Sequence, residues 1–180
     1  LMALTITGLG GLFLLIGLVI AGQIVGSYSI GEMIANADAI KSSPSYIFIL
    51  VSFLLGAFTK SAQFPFHFWL PGAMKAPTPV SAYLHSATMV KAGIFIMARF
   101  TPILGGTAIW QITLMSFGGL TMLFAAYNAL FKKDLKGILA YSTISALGVL
   151  TFLLGIGTEH AITAFTIFIL VHAIYKASLF

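Results

Sequence analysis

The sequence predicts an all-α membrane protein with six membrane-crossing segments, the second of them broken near Pro65. Three observations carry that prediction. Hydrophobic residues make up 59% of the 180 positions and charged residues only 7%, whereas an ordinary soluble domain is about 25% charged. A water-soluble fold with this composition would expose apolar patches that aggregate. The apolar residues also fall into runs of the length a helix needs, about 20 residues for a hydrocarbon core of about 30 Å. With short connections the chain holds six such runs and leaves no aqueous domain of useful size.

The runs are bounded by polar and turn residues. They span about 1–26, 45–75, 80–100, 108–131, 137–157 and 161–180. Leu1 and Phe180 both lie inside apolar runs, so the chain reads as an internal piece of a longer polypeptide. Between the first two runs, residues 28–44 carry Glu32, Asp38, Lys41 and Pro44, with Ile30, Met33, Ile34, Ala37 and Ile40 at helical spacing. That pattern predicts one short amphipathic helix at the membrane surface. The run from Ser45 to Lys75 is too long for one straight span. Pro65 lacks a backbone donor and clashes with the preceding turn, so two half-helices are expected to meet there, with Lys60 just ahead. Broken backbone at membrane depth is tolerated only where protein or a wet cavity receives it, and in transporters such breaks mark ion sites.

Lysines and arginines of the connections set the orientation. Lys75, Lys132, Lys133 and Lys136 lie on one side, Lys41 and Arg99 on the other, which places the 132–136 loop in the cytoplasm. Asp134 is expected to favour the start of the fifth helix, and Glu159 to be a loop charge. Gly22 and Gly26 form a GxxxG pattern, a weak signal of helix packing.

Several function classes are excluded. The net charge of +5 comes from scattered residues, and basic flanks are normal for spanning helices, so no nucleic acid is expected. Cysteine is absent, which removes disulfides and thiolate metal sites. Gly56 to Ser61 resembles a phosphate loop but lacks the glycine before the lysine. No metal-ligand spacing, nucleophile elbow or dinucleotide fingerprint occurs, so neither a cofactor nor enzymatic chemistry is expected.

The residues that call for an explanation are ionisable ones inside apolar runs. Lys60, Lys91 and Lys176 each cost roughly 2.5–3.5 kcal/mol at a helix centre, together about 9 kcal/mol, and intramembrane charges mark transport pathways by default. Burial disfavours an ammonium, which lets a lysine take up and release protons nearer neutral pH, and histidine already titrates there. His85 and Lys91 share one run, with Thr88 between them, and His172 and Lys176 lie four apart on one helix face. Gln63 and Thr59 provide polar company for Lys60. These groups form a candidate proton relay of Lys60, His85, Lys91, His172 and Lys176, supported by Gln63 and Thr88. His67 and His160, near segment ends, are expected at the interface.

The stretch Lys60-Ser61-Ala62-Gln63-Phe64-Pro65-Phe66-His67-Phe68-Trp69-Leu70-Pro71, with Ala76 to Gly93 after it, closely resembles the antiporter-like subunits shared by respiratory complex I and Mrp-type sodium/proton antiporters. Lys133 to Lys136, Leu139 to Ser145, and His172 to Phe180 fit the same family. Gly72, Lys91 and the Phe66-His67-Phe68-Trp69 run bring the sequence nearest to the large A subunits of the Mrp branch. Ala146 departs from the family, which often has glutamine there. The resemblance implies a single proton-conducting membrane domain in a hetero-oligomeric antiporter of a prokaryotic cell membrane, exchanging sodium or another monovalent cation for protons. It implies other subunits as partners, and a glutamate pairing with Lys60 from a helix upstream of Leu1. It further implies a second broken helix beyond Phe180. A proton-pumping subunit of complex I or of a membrane-bound hydrogenase is the alternative it leaves open.

Overall fold

The computed structural model describes residues 2–77, 79, 81 and 89–179. Among them the chain is helical throughout, in nine α-helices and two 3₁₀ turns. These are α1 (Met2–Val25), α2 (Ile30–Ala35), α3 (Ala37–Ser42), α4 (Tyr46–Lys60), α5 (Trp69–Gly72), α6 (Met89–Leu104), α7 (Ala108–Leu130), α8 (Leu135–Ile156) and α9 (Glu159–Leu179). The 3₁₀ turns, Phe66–Phe68 and Ala73–Lys75, flank α5. Four helices, α1, α7, α8 and α9, are long and apolar enough to cross a membrane. With 15 residues, α4 is about 22 Å long, short of a full crossing.

Long helices pack antiparallel to their neighbours, through small residues. Gly10 of α1 lies against Thr59 of α4, and Gly17 against Ile49, Ser52 and Phe53, so the two helices run in opposite directions. Between α7 and α8 the approach is closest at Gly118 and Gly148. A Cβ on either would stand 2.8 Å from the other's carbonyl oxygen, so neither position has room for one. In a bilayer no hydrophobic force drives helices together, and close backbone packing of this kind takes its place. At the centre lies α8, in contact with α5, α6, α7 and α9. The outward faces of α1, α7 and α9 carry exposed apolar side chains such as Leu4, Leu12, Leu123, Leu130 and Ile174.

Capping explains several boundaries. Asp134 caps α8 by accepting a hydrogen bond from the Gly137 N–H at 2.7 Å, as its charge led one to expect, so that helix starts two residues earlier than the apolar run. Gly157, left-handed with φ +66°, ends it. Thr158 accepts from the Ala161 N–H at 3.3 Å, and Glu159 therefore sits in the first turn of α9. It is a helix-start charge, where the helix dipole favours an acid, and not the loop charge the sequence had suggested. Phe100 does not close α6, which continues to Leu104 with Pro102 inside it.

Two further expectations are corrected. The 28–44 connection forms two short helices in place of one, broken at Asn36, whose side chain donates to the Glu32 carbonyl at 2.9 Å. Met33, Ala37 and Ile40 are buried as the spacing predicted. The Gly22/Gly26 pattern does not seat another helix. Gly22 makes room for the Tyr28 ring, and Gly26 is left-handed (φ +78°) where α1 ends.

The contrast between neighbouring glycines of α7 and α8 is testable. Gly148→Ala in the full-length protein should overpack the α7–α8 seam and lower stability by about 1–3 kcal/mol. Gly119→Ala, whose Cβ would meet nothing nearer than the Phe152 ring at 3.6 Å, should be tolerated. Thermal denaturation of the purified protein distinguishes the two.

Candidate proton-relay site

The site is built where α4 stops. Helix α4 ends at Lys60, five residues before Pro65, and its end is closed by backbone geometry. Ala62 adopts the left-handed conformation (φ +48°), which lets the Gln63 N–H turn back to the Phe58 carbonyl at 3.0 Å. That is the hydrogen bond of a helix-terminating Schellman motif, normally built on glycine. A proline at 65 would strike the Ser61 carbonyl if the helix ran on, so both features act against continuation. Pro65 instead opens the 3₁₀ turn at Phe66–Phe68.

Backbone groups freed by this termination find protein partners. The Thr59 carbonyl accepts from the Trp69 indole N–H at 3.0 Å, an arrangement wholly buried. The Phe64 N–H donates to Thr121 Oγ1 on α7 at 3.0 Å, and that hydroxyl donates to the Phe117 carbonyl at 2.6 Å. Gln63 is fully buried. Its amide nitrogen donates to the Ser61 carbonyl at 3.4 Å, and its oxygen has no hydrogen-bond partner among the described residues. His67 is fixed by aromatic contact, stacked on Phe64 and edge-on to Phe124 of α7 with centroids 4.8 Å apart.

The cations sit in different environments. Lys60, the last residue of α4, is half-buried. Lys91 on α6 is 5% exposed. Gly93, two residues on, rests against Ala57 and Ser61 of α4. Two residues correspond to about 200° of rotation, so Lys91 leaves α6 on the side away from that contact. On α9, His172 is 0% and Lys176 2% exposed. The His172 ring lies between Phe168 and Tyr175, with centroids 5.9 and 5.2 Å away. Lys176 Nζ donates to Ser142 Oγ at 2.6 Å and to the Leu139 carbonyl at 3.2 Å, both on α8. His85 and Thr88 lie outside the described residues.

Polar contacts also recur between other helices of the bundle, as separate pairs. From the α4 exit, Phe64 reaches Thr121 on α7. The next residue, Met122, accepts from Ser145 Oγ of α8 at 3.1 Å, and one turn away Ser142 meets Lys176 of α9. Thr121, Ser145 and Ser142 were not singled out from the sequence. Hydroxyls recurring in the otherwise apolar α7 and α8 were the available signal.

The structure also tests the grouping of the loops. Lys136 Nζ donates to the Ala76 carbonyl at 3.2 Å, joining the two connections that were assigned to one side. At the other end of the bundle, Tyr46 Oη donates to the Leu104 carbonyl at 2.7 Å, which puts the start of α4 beside the end of α6.

Comparison with known proteins matches the whole chain to one family. The family model described as "NADH:quinone oxidoreductase/Mrp antiporter, TM" covers residues 1–180. The chain belongs to this family. It is a multi-pass membrane protein of the kind bacterial antiporters contain. Among its relatives, a probable K(+)/H(+) antiporter A/B polypeptide of Rhizobium meliloti (strain 1021) is 59% identical over 179 residues, which are 99% of this chain and 18% of that protein. The solved Mrp complex from Dietzia sp. DQ12-45-1b contains a chain 42% identical, with a TM-score of 0.94, covering 99% of this chain and 20% of its own. The membrane-bound sulfane sulfur reductase, an archaeal respiratory membrane complex, gives 26% identity and a TM-score of 0.79 over 97% of this chain and 36% of its own. The chain thus spans only a fraction of the length of these relatives.

Removing the Thr121 hydroxyl should loosen the α4 exit. Thr121→Val leaves the part-buried Phe64 N–H without its acceptor and should cost about 1 kcal/mol, while Thr121→Ser should restore most of that. Thermal denaturation of the two variants of the full-length protein measures the difference.

Proposed function

We propose that this chain is part of the proton-translocating core of a multisubunit monovalent cation/proton antiporter in a bacterial cell membrane. The observation that carries the reading is the enclosure of Lys91, His172 and Lys176 inside the bundle, with Lys176 held by Ser142 Oγ and the Leu139 carbonyl of α8. Buried ammonium and imidazole groups inside a membrane protein mark proton and ion pathways by default. The similarity to antiporter polypeptides and to the Mrp complex supports the same reading.

In this reading the chain crosses the membrane six times. Helix α4 and the 61–75 segment together make the second crossing, broken near Pro65, and the 80–100 run of the sequence makes the third. The exchanged ion is sodium or another monovalent cation. Lys60 alternates between a carboxylate partner elsewhere in the full protein and the relay. Protons pass by way of His85 and Lys91 towards His172 and Lys176, with Gln63 and Thr88 as polar supports. The protein works as one component of a transporter and not as an enzyme, with the other antiporter subunits and the bilayer as its partners.

A second reading is favoured by one observation, the likeness to the archaeal respiratory complex. There the same relay would serve a pump driven by electron transfer. The lower identity, 26% against 42% for the Mrp chain, ranks it second.

In the intact complex, Lys60→Ala should abolish proton-coupled cation efflux while leaving assembly of the complex unchanged. Fluorescence quenching of a pH dye in everted vesicles, with sodium and potassium added in turn, provides the measurement. Efflux at the normal rate would remove Lys60 from the mechanism.

A further inference from the structure

Lys176 is an ammonium-bearing side chain almost wholly enclosed between α8 and α9, and the partners α8 offers it differ in kind. The Leu139 carbonyl, 3.2 Å from Nζ, can only accept a hydrogen bond. Ser142 Oγ, 2.6 Å from Nζ, can accept or donate, because a hydroxyl carries both a proton and lone pairs and rotates to suit its partner. In the arrangement observed it accepts from Lys176, and its own proton points to the Leu139 carbonyl at 3.0 Å. That carbonyl also accepts from Thr143 Oγ1 at 2.8 Å, so it is already well supplied with donors and loses little if Ser142 turns away.

The geometry points to Ser142 as a positioning residue for proton transfer at Lys176. When Lys176 is charged, all its Nζ protons need acceptors, and Ser142 Oγ is one. When Lys176 has given up a proton, its nitrogen carries a lone pair that needs a donor in a place closed to water. The Ser142 hydroxyl supplies that donor by rotating about its Cβ–Oγ bond, while the Leu139 carbonyl keeps hold of a remaining N–H. No covalent bond changes at Ser142. It lets one lysine position serve two protonation states at similar cost, which is what a relay member needs and a structural lysine does not. The inference rests on the proposed relay function of Lys176 and goes beyond it by naming the group that makes the relay reversible.

Three variants of the intact complex test this: Ser142→Ala, Ser142→Thr and Lys176→Ala, each assayed for proton-coupled cation flux in everted vesicles and for assembly of the complex. Ser142→Ala leaves the neutral amine with an unmet lone pair. Its flux should fall about tenfold or more, the effect of one unmet buried hydrogen bond worth about 1.4 kcal/mol, with assembly intact. Ser142→Thr keeps a hydroxyl and should recover most of the flux, a rescue that a purely packing role would not produce. Normal flux in Ser142→Ala overturns the inference, as does failure of Ser142→Thr to recover flux while assembled. If Ser142→Ala fails to assemble, Ser142→Cys, close in size but a poor donor, takes its place. Normal flux in the cysteine variant overturns the inference, and so does loss of assembly in both, because Ser142 would then be an anchor. Lys176→Ala separates the two levels. Flux retained there sinks the relay reading itself and this inference with it, whereas flux lost there but kept in Ser142→Ala sinks only the role of Ser142.

Discussion

A helix that ends among packed neighbours frees backbone groups that need partners, and the architecture around residues 58–69 follows from pairing them. Each unsatisfied group would cost several kcal/mol in hydrocarbon. The left-handed turn at Ala62 returns one N–H to Phe58, the Trp69 indole covers the Thr59 carbonyl, and Thr121 accepts the Phe64 N–H. These partners come from the chain just beyond the exit and from α7, so α7 and the 3₁₀ turn are brought against α4. Close packing of α7 on α8 through Gly118 and Gly148 then sets where α8 stands, and α8 in turn receives Lys176. One local termination thereby bears on where the helices around it stand.

Oxygen atoms of α8 hold the buried Lys176. An ammonium in an apolar interior is held only if oxygen atoms surround it, and Lys176 finds two on α8. One of those oxygens is the Leu139 backbone carbonyl and the other the Ser142 hydroxyl, on an otherwise apolar helix that also carries Thr143, Ser145 and Thr151. Such side chains slightly weaken a helix by bonding back to its own carbonyls, as Thr143 and Thr151 do here. A helix selected only to span a membrane would gain nothing from four of them in one stretch.

Much of this was legible in the sequence. The long apolar helices were, because Asp134, Gly157 and Thr107 mark helix ends by chemistry that acts locally. Lys91, His172 and Lys176 were legible as interior residues, since the cost of a charge in lipid depends only on depth, and all three are buried. The sequence predicts two half-helices meeting near Pro65, whereas α4 stops at Lys60 with its turn at Ala62, a residue with no preference for positive φ, and the 61–75 segment holds only two 3₁₀ turns and the four-residue α5. The two-helix form of the 28–44 connection turned on Asn36, a single side chain bonding its own backbone. Ser142 could not be found from spacing along the chain, because its partner lies on another helix and the contact depends on the register of α8 against α9.

The claim at the centre is that these lysines act by exchanging protons and not merely by carrying charge. Replacing Lys60 by arginine tests that most directly, since a guanidinium retains the positive charge but is not deprotonated in proteins. Proton flux through the assembled Lys60→Arg complex, reconstituted in liposomes under an imposed pH gradient, should be lost. Flux at the level of the unmodified complex would show that a fixed charge suffices, and would contradict the account.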